Sequence, residues 1–181
     1  MKSIRMAAAI LALGTTAAFA ANPDVGGAPM YETKNIVENA VNSKDHTTLV
    51  AAVQAAGLVE TLSGDGPFTV FAPTNAAFEK LPAGTVETLL KPENKDQLTK
   101  ILTCHVVAAN ALSGAIEKMV ADDKGMHPVK SVGGCEFTAM MDGDKIQIKD
   151  GQNNVATVTI ADVKQSNGVI HVIDTVLLPA M

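Results

Sequence analysis

The 181-residue chain carries 14 Lys plus Arg against 19 Asp plus Glu, a net charge of −5, with one Tyr, five Phe and no Trp. An acidic chain with no basic stripe and no interleaved aromatics has the wrong sign for a phosphate backbone or an anionic membrane surface, so nucleic acid is excluded as a partner. The length fits one domain.

At the start, Lys2 and Arg5 precede an apolar run from Met6 to Leu13, and Ala18-Phe19-Ala20 closes the stretch. A charged n-region, a short h-region and an A-x-A site in that order predict a signal peptide over residues 1–20, and hence export to a periplasm or the medium. The run is shorter than the roughly 20 apolar residues a bilayer span needs, and no later stretch is long enough, so the chain is expected not to span a membrane. Cleavage removes two basic residues and no acid, taking the net charge from −5 to −7.

Residues 21–32 are Gly/Pro-rich and read as a flexible arm; residues 33–181 read as the domain. Tyr31 to Asn42 has the spacing of a short helix. Asp45 stands as a cap before Leu49, Val50, Val53 and Ala56, a helix stripe that Gly57 stops, with His46 exposed in its first turn. Phe68 to Ala72 alternates β-branched and aromatic residues and predicts a strand. Pro73 ends its ladder, and Thr74 or Asn75 then caps a helix carrying Ala77, Phe78 and Leu81. Pro82-Ala83-Gly84 turns the chain into a helix through Val86, Leu89 and Leu90. Another helix, Asn94 to Leu102, leads into a buried strand at Cys104-His105-Val106-Val107. Leu112 to Ala121 predicts one more helix. From residue 128 the period changes to two, with strands at 128–132, 135–141, 145–149, 155–160 and 169–178. Gly133-Gly134, Asp142-Gly143 and Asp150-Gly151 are hairpin signals between them. Helices first and strands later predict an α+β fold with a mostly antiparallel sheet against a helical layer.

Searching the chain for chemistry finds no phosphate loop, G-x-S-x-G elbow, H-E-x-x-H pair or C-x-x-C pair. His105 and His171 sit inside apolar runs, where an imidazole is a hydrogen-bonded core residue more often than a catalyst. Met119, Asp122, Asp123, Met126, His127, Met140 and Met141 form a loose neighbourhood of copper-type donors. Methionine also fills cores and Asp122-Asp123-Lys124-Gly125 reads as a solvated turn, so no metal or other cofactor is expected. The two cysteines, Cys104 and Cys135, lie in the exported part; an even count in an oxidising compartment favours one disulfide, the alternative being two separate buried thiols.

Three stretches resemble the signatures of the fasciclin (FAS1) domain family. Thr69-Val70-Phe71-Ala72-Pro73-Thr74-Asn75, completed by Ala77 and Phe78, is similar to the first. Leu102-Thr103-Cys104-His105-Val106-Val107 is similar to the middle one. Asn167-Gly168-Val169-Ile170-His171-Val172-Ile173-Asp174, followed by Thr175 to Pro179, is similar to the last. The resemblance covers about residues 33–179 and implies one copy of the FAS1 fold, a mostly antiparallel β-sandwich or wedge flanked by short helices. It makes Thr69, Phe71, Pro73, Thr74, Asn75, Phe78, His105, Gly168, His171 and Asp174 structural motif residues, with His105 a buried hydrogen-bonding group. Cys104 departs from the family's tyrosine, and a bridge to Cys135 would compensate.

The resemblance also implies a function. It points to an exported, non-catalytic binding module in cell adhesion or surface and matrix contact, with a protein or glycan partner. In an animal extracellular-matrix member an Asp-Ile pair before the last signature contributes to integrin binding; that pair falls on Asp162-Val163 here, where a solvated Asp at a strand end is the plainer reading. A periplasmic carrier of a small apolar ligand or metal is the alternative, and a hydrolase lacks an assembled nucleophile and base.

Overall fold

The computed structural model describes residues 22–180; the predicted signal peptide lies outside them. Among the described residues nine strands and seven α-helices follow in chain order. Strands β1 (Asp24–Val25) and β2 (Ala28–Pro29) make a small hairpin, followed by helices α1 (Ile36–Ala40), α2 (Thr47–Ala56) and α3 (Val59–Ser63). Strand β3 (Phe68–Pro73) then leads to α4 (Asn75–Glu79), α5 (Thr85–Leu89), α6 (Lys95–Cys104), the short β4 (Val106–Val107) and α7 (Ser113–Asp122). The remainder is sheet: β5 (Met126–Lys130), β6 (Glu136–Asp142), β7 (Lys145–Lys149), β8 (Val155–Gln165) and β9 (Gly168–Ile173).

Strands three to nine form one sheet in the order β4-β3-β9-β8-β7-β6-β5. Only β3 and β9 run parallel. This pair joins the first and last signatures, Phe71 opposite His171, and both strands are almost wholly buried. Their near-continuous apolar runs are what a strand covered on both faces needs. At their start Gly168 has φ 159°, and a Cβ there would overlap the Phe68 carbonyl, so only glycine lets the strands approach.

The apolar residues divide into two cores. The first lies between the β3–β9 sheet and helices α1 to α6; the second lies under α7 and is walled by Phe71, Phe137, Ile146, Ile148 and Val158. Strand β8 serves both. It pairs with β7 through Val155–Thr157 and with β9 from Val158 to Gln165, and its register shifts between Ile160 and Val163. Such a bulge bends a strand and increases its twist, curling the sheet into a wedge.

Several expectations are corrected. The predicted flexible arm is packed: Val25 and Met30 are 3% and 2% exposed within the first core, and the Met30 amide donates to the Pro23 carbonyl at 2.9 Å. Alternating apolar residues close the hairpin on the domain despite its glycines. His46 is buried rather than exposed, and Asp45 does not cap α2 but lies in a 3-10 turn, Lys44–His46. The predicted strand at Cys104–Val107 is shortened to Val106–Val107, because α6 runs on through Cys104 and His105 caps it. Helix α3 was not legible in the sequence pattern.

Candidate functional site

The signature residues converge at the seam between the two cores. Thr74 caps α4 by accepting from the Ala77 amide at 3.3 Å. Asn75 does something the sequence did not suggest: its Oδ1 accepts from the Thr48 amide at 3.0 Å and the Thr47 hydroxyl at 3.2 Å, while its amide donates to the Lys44 carbonyl at 2.8 Å. It therefore caps α2, a helix nearly thirty residues upstream, whose preceding residue supplies no side-chain cap. Thr69 donates to the Ala109 carbonyl at 2.6 Å and accepts from the Ala111 amide at 2.8 Å, tying the loop after β4 to β3. Pro73 and Phe78 are buried, Phe78 within the first core.

His105 is fully buried. Its Nδ1 donates to the Ile101 carbonyl at 2.8 Å and its Nε2 accepts from the Leu177 amide at 2.9 Å. The Leu177 N–H can serve only an unprotonated Nε2, so the ring is neutral. Burial pushes its pKa down to about 4, against the smaller upward pull of the Ile101 carbonyl and the Asp150 carboxylate. The ring thereby latches the C-terminal segment to the end of α6.

His171 repeats the arrangement on the other side of Phe71, against which it stacks at 5.7 Å. Its Nε2 donates to the Ala111 carbonyl at 2.7 Å and its Nδ1 accepts from the Asp162 amide at 3.3 Å. Burial lowers its pKa, with the Ala111 carbonyl and Asp162 opposing. His46 is lowered for the same first reason; its Nδ1 meets Ser43 Oγ at 2.9 Å, and its Nε2 has no partner among the described residues.

Asp162 sits in the β8 bulge at φ 58°, a left-handed conformation rare outside glycine. Its carboxylate accepts from the Ser113 amide at 2.7 Å and the Ser113 hydroxyl at 2.5 Å, at the start of α7. Val163 is 0% exposed. The Asp162-Val163 pair is thus committed to the fold, the Asp as an anchor for α7 and the Val as a core residue, and does not form an exposed motif. Ser113, Asp162 and His171 also hold the residue types of a catalytic triad in the wrong order. The serine bonds the carboxylate, while the imidazole bonds the aspartate's backbone amide and the Ala111 carbonyl, so the imidazole is not placed to take the hydroxyl proton.

Asp174 accepts from the Thr157 amide at 2.8 Å and the Thr175 hydroxyl at 3.0 Å and faces Lys80 at 3.5 Å. Desolvation raises its pKa, but these hydrogen bonds and Lys80 outweigh that and lower it overall. Two polar residues missed in the sequence also hold the fold. Asn167 bridges the Ile36 amide and the Leu62 and Gly64 carbonyls. The buried Asp150 carboxylate accepts from the Gln152, Asn154 and Leu178 amides and the Asn154 side chain. The Asp150-Gly151 turn was the only signal for it.

Cys104 and Cys135 are joined in a disulfide with Cα atoms 5.3 Å apart. Beside it, the Gly133 amide donates to the Thr103 carbonyl at 3.0 Å, and a Cβ on Gly133 would collide with Thr103 and the Cys104 amide. The loose neighbourhood of Met, His and Asp donors around residues 119–141 does not converge on one point. Met126 is 63% exposed, Met119 and Met141 pack on the second core, and His127 Nδ1 is bound to Asp123 at 2.6 Å. Among the described residues no three His, Cys, Asp or Glu converge as metal ligands.

Comparison with known proteins gives this arrangement its context. Protein sll1483 of Synechocystis is 52% identical over 146 residues, covering 81% of this chain and 74% of its own length. Immunogenic protein MPB70 of Mycobacterium bovis is 34% identical over 145 residues, covering 77% of this chain and 66% of its own. Transforming growth factor-beta-induced protein ig-h3 of Sus scrofa is 40% identical over 136 residues, 72% of this chain but 17% of that protein. A solved FAS1 domain pair from the insect cell adhesion molecule fasciclin I shares the fold, with a TM-score of 0.53 at 22% identity over 70% of this chain and 42% of that one. The Fasciclin domain profile matches residues 44–179, and the chain belongs to the fasciclin domain family.

Proposed function

We propose that the chain is an exported, non-catalytic binding module that contacts a protein or glycan at a cell surface or matrix. The observation that carries this reading is where the signature polar groups are spent. Thr69, Thr74, Asn75, His105, His171 and Asp174 bond inward, to backbone or to neighbouring side chains, so the signatures build a scaffold and leave recognition to the surface. A relative named cell surface glycolipoprotein MPB83 of Mycobacterium bovis, 39% identical over 122 residues, 67% of this chain and 48% of its own length, supports the setting. The disulfide fits an oxidising compartment, and no helix among the described residues is long and apolar enough to cross a membrane.

The test is direct. Fluorescently labelled chain should bind saturably to intact cells of its own source culture. Protease pretreatment of the cells should abolish binding for a protein partner, periodate for a glycan. Association that never saturates, or that survives both treatments, would overturn the reading. N-terminal sequencing of exported material should begin at Ala21.

A further inference from the structure

We propose that the β1–β2 hairpin is an acid-released flap, held down while the His46 ring beneath it is neutral. The hairpin pairs only with itself and joins no strand of the seven-stranded sheet. Two features fasten it to the domain. Val25, Ala28 and Met30 enter the first core, and the Gly26 carbonyl accepts from the Lys44 amide at 3.1 Å. Gly26 has φ 64°, and a Cβ there would collide with Ser43 Oγ and the Asp45 amide. The hairpin turn therefore lies directly on the 3-10 turn Lys44–His46 that carries the ring.

His46 is 3% exposed, and its Nδ1 meets Ser43 Oγ at 2.9 Å. With Val25 and Met30 of the hairpin, and Leu49, Ala72, Val163 and Ile170 of the core, it walls a cavity of about 20 Å³. That space is water-sized and apolar, so it cannot hydrate an imidazolium. No protein group among the described residues bonds Nε2. The charged groups nearby are few. Lys44 and Asp45 belong to the turn itself, and Asp24 on β1 accepts from the Gly27 amide at 3.0 Å. Helices α1 and α2 present Ala40 and Leu49, strands β3, β8 and β9 present Ala72, Val163 and Ile170, and α4 meets the turn through the neutral Asn75. The Ala72 carbonyl and Asp45 favour the charged ring, but burial outweighs them and lowers its pKa.

The hairpin is the wall that can leave. The other walls belong to the paired sheet or to helices of the first core, whereas the hairpin shares no ladder with either. Lifting it takes Val25 and Met30 off the ring and admits water, and the exposed ring regains its ordinary affinity for a proton. Falling pH therefore favours the open form, which uncovers Leu49, Ala72 and Ile170 as an apolar patch. One proton on a ring with an ordinary pKa of 6.5 raises the opening constant by at most about 25-fold between pH 7 and 5.

Amide hydrogen exchange of the disulfide-intact exported protein from pH 7 to 5, corrected for intrinsic rates, tests this. The Lys44 amide reports the flap, because its acceptor is on the hairpin, and amides of β3 and β9 report global opening. Lys44 should be less protected than β3 and β9 throughout, and its protection factor should fall between about 5-fold and 25-fold. His46→Gln should flatten the Lys44 response while most of the β3 and β9 response remains, since that also draws on His105 and His171. Gly26→Ala, which pushes the hairpin up, should deprotect Lys44 already at pH 7. The wild-type His46 ring, titrated by NMR, should protonate below 6.5 and in step with the Lys44 change. A Lys44 protection factor that is constant with pH, that falls only together with β3 and β9, or that falls equally in His46→Gln would overturn the proposal. So would a wild-type ring pKa at or above 6.5. None of these readouts depends on what the chain binds.

Discussion

Acid should unlatch the C-terminal segment through His105. The ring is neutral in the fold because its Nε2 must accept from Leu177, and its pKa falls to about 4 from 6.5. In the unfolded chain it protonates near 6.5, so between these values the unfolded state binds more protons and stability rises with pH. The His105 contribution is therefore complete above pH 6.5 and is lost as pH falls towards 4. Linkage between 6.5 and about 4 removes about 2 kcal/mol by pH 5 and about 3 kcal/mol by pH 4. The ring is fully buried, so solvent does not screen this away. His46 and His171, also lowered, add in the same direction. Against a total of about 5–15 kcal/mol for an ordinary domain, the loss is large. With no Trp and one Tyr, unfolding is best followed by circular dichroism at 222 nm in urea from pH 7 to 4. His105→Gln retains an acceptor for the Leu177 amide but does not titrate, so its pH slope should be shallower than wild type by about 3 kcal/mol over that range. Equal slopes in the two proteins would refute the latch, whatever the absolute stability of the variant.

Other consequences follow from the same contacts. The disulfide joins residues 31 apart and should contribute roughly 3.7 kcal/mol by constraining the unfolded chain, so reduction should lower the urea midpoint. Thiol titration of the unfolded, unreduced exported protein checks the bond, and two reactive thiols per chain would disprove it. Asn75→Ala should cost about 1–2 kcal/mol by uncapping α2, and hydrogen exchange at Thr48 should rise well beyond the global change. Asp162→Ala removes the anchor of α7 and places Ala in a left-handed conformation, for about 1–3 kcal/mol in denaturant titrations. Cell binding by that variant at a temperature where it is folded should match wild type, since Val163 is buried and the Asp162 carboxylate is engaged; selective loss of binding would restore the pair as a recognition motif.

Local chemistry made much of this protein legible before its structure. Period-two runs marked β6, β7 and β3, the helix stripe with Gly57 marked α2, and the T-V-F-A-P-T-N run, with its partner near residue 170, marked the family. These signals are short-range: a strand's alternation or a helix stop is written within a few residues. What sequence could not supply was who bonds whom across long separations. Thr74 as the cap of α4 is local, but Asn75 as the cap of α2 exists only once β3 brings the two helices together. Asp162 read as a solvated strand end because nothing nearby in sequence needs it; the β8 bulge aims it at Ser113, 49 residues away. His46 looked exposed in the first turn of a helix, and the β1–β2 hairpin, misread as a loose arm, helps bury it. Backbone propensity acts on neighbours along the chain, whereas burial, hydrogen-bond partners and cavities depend on which surfaces the sheet brings face to face.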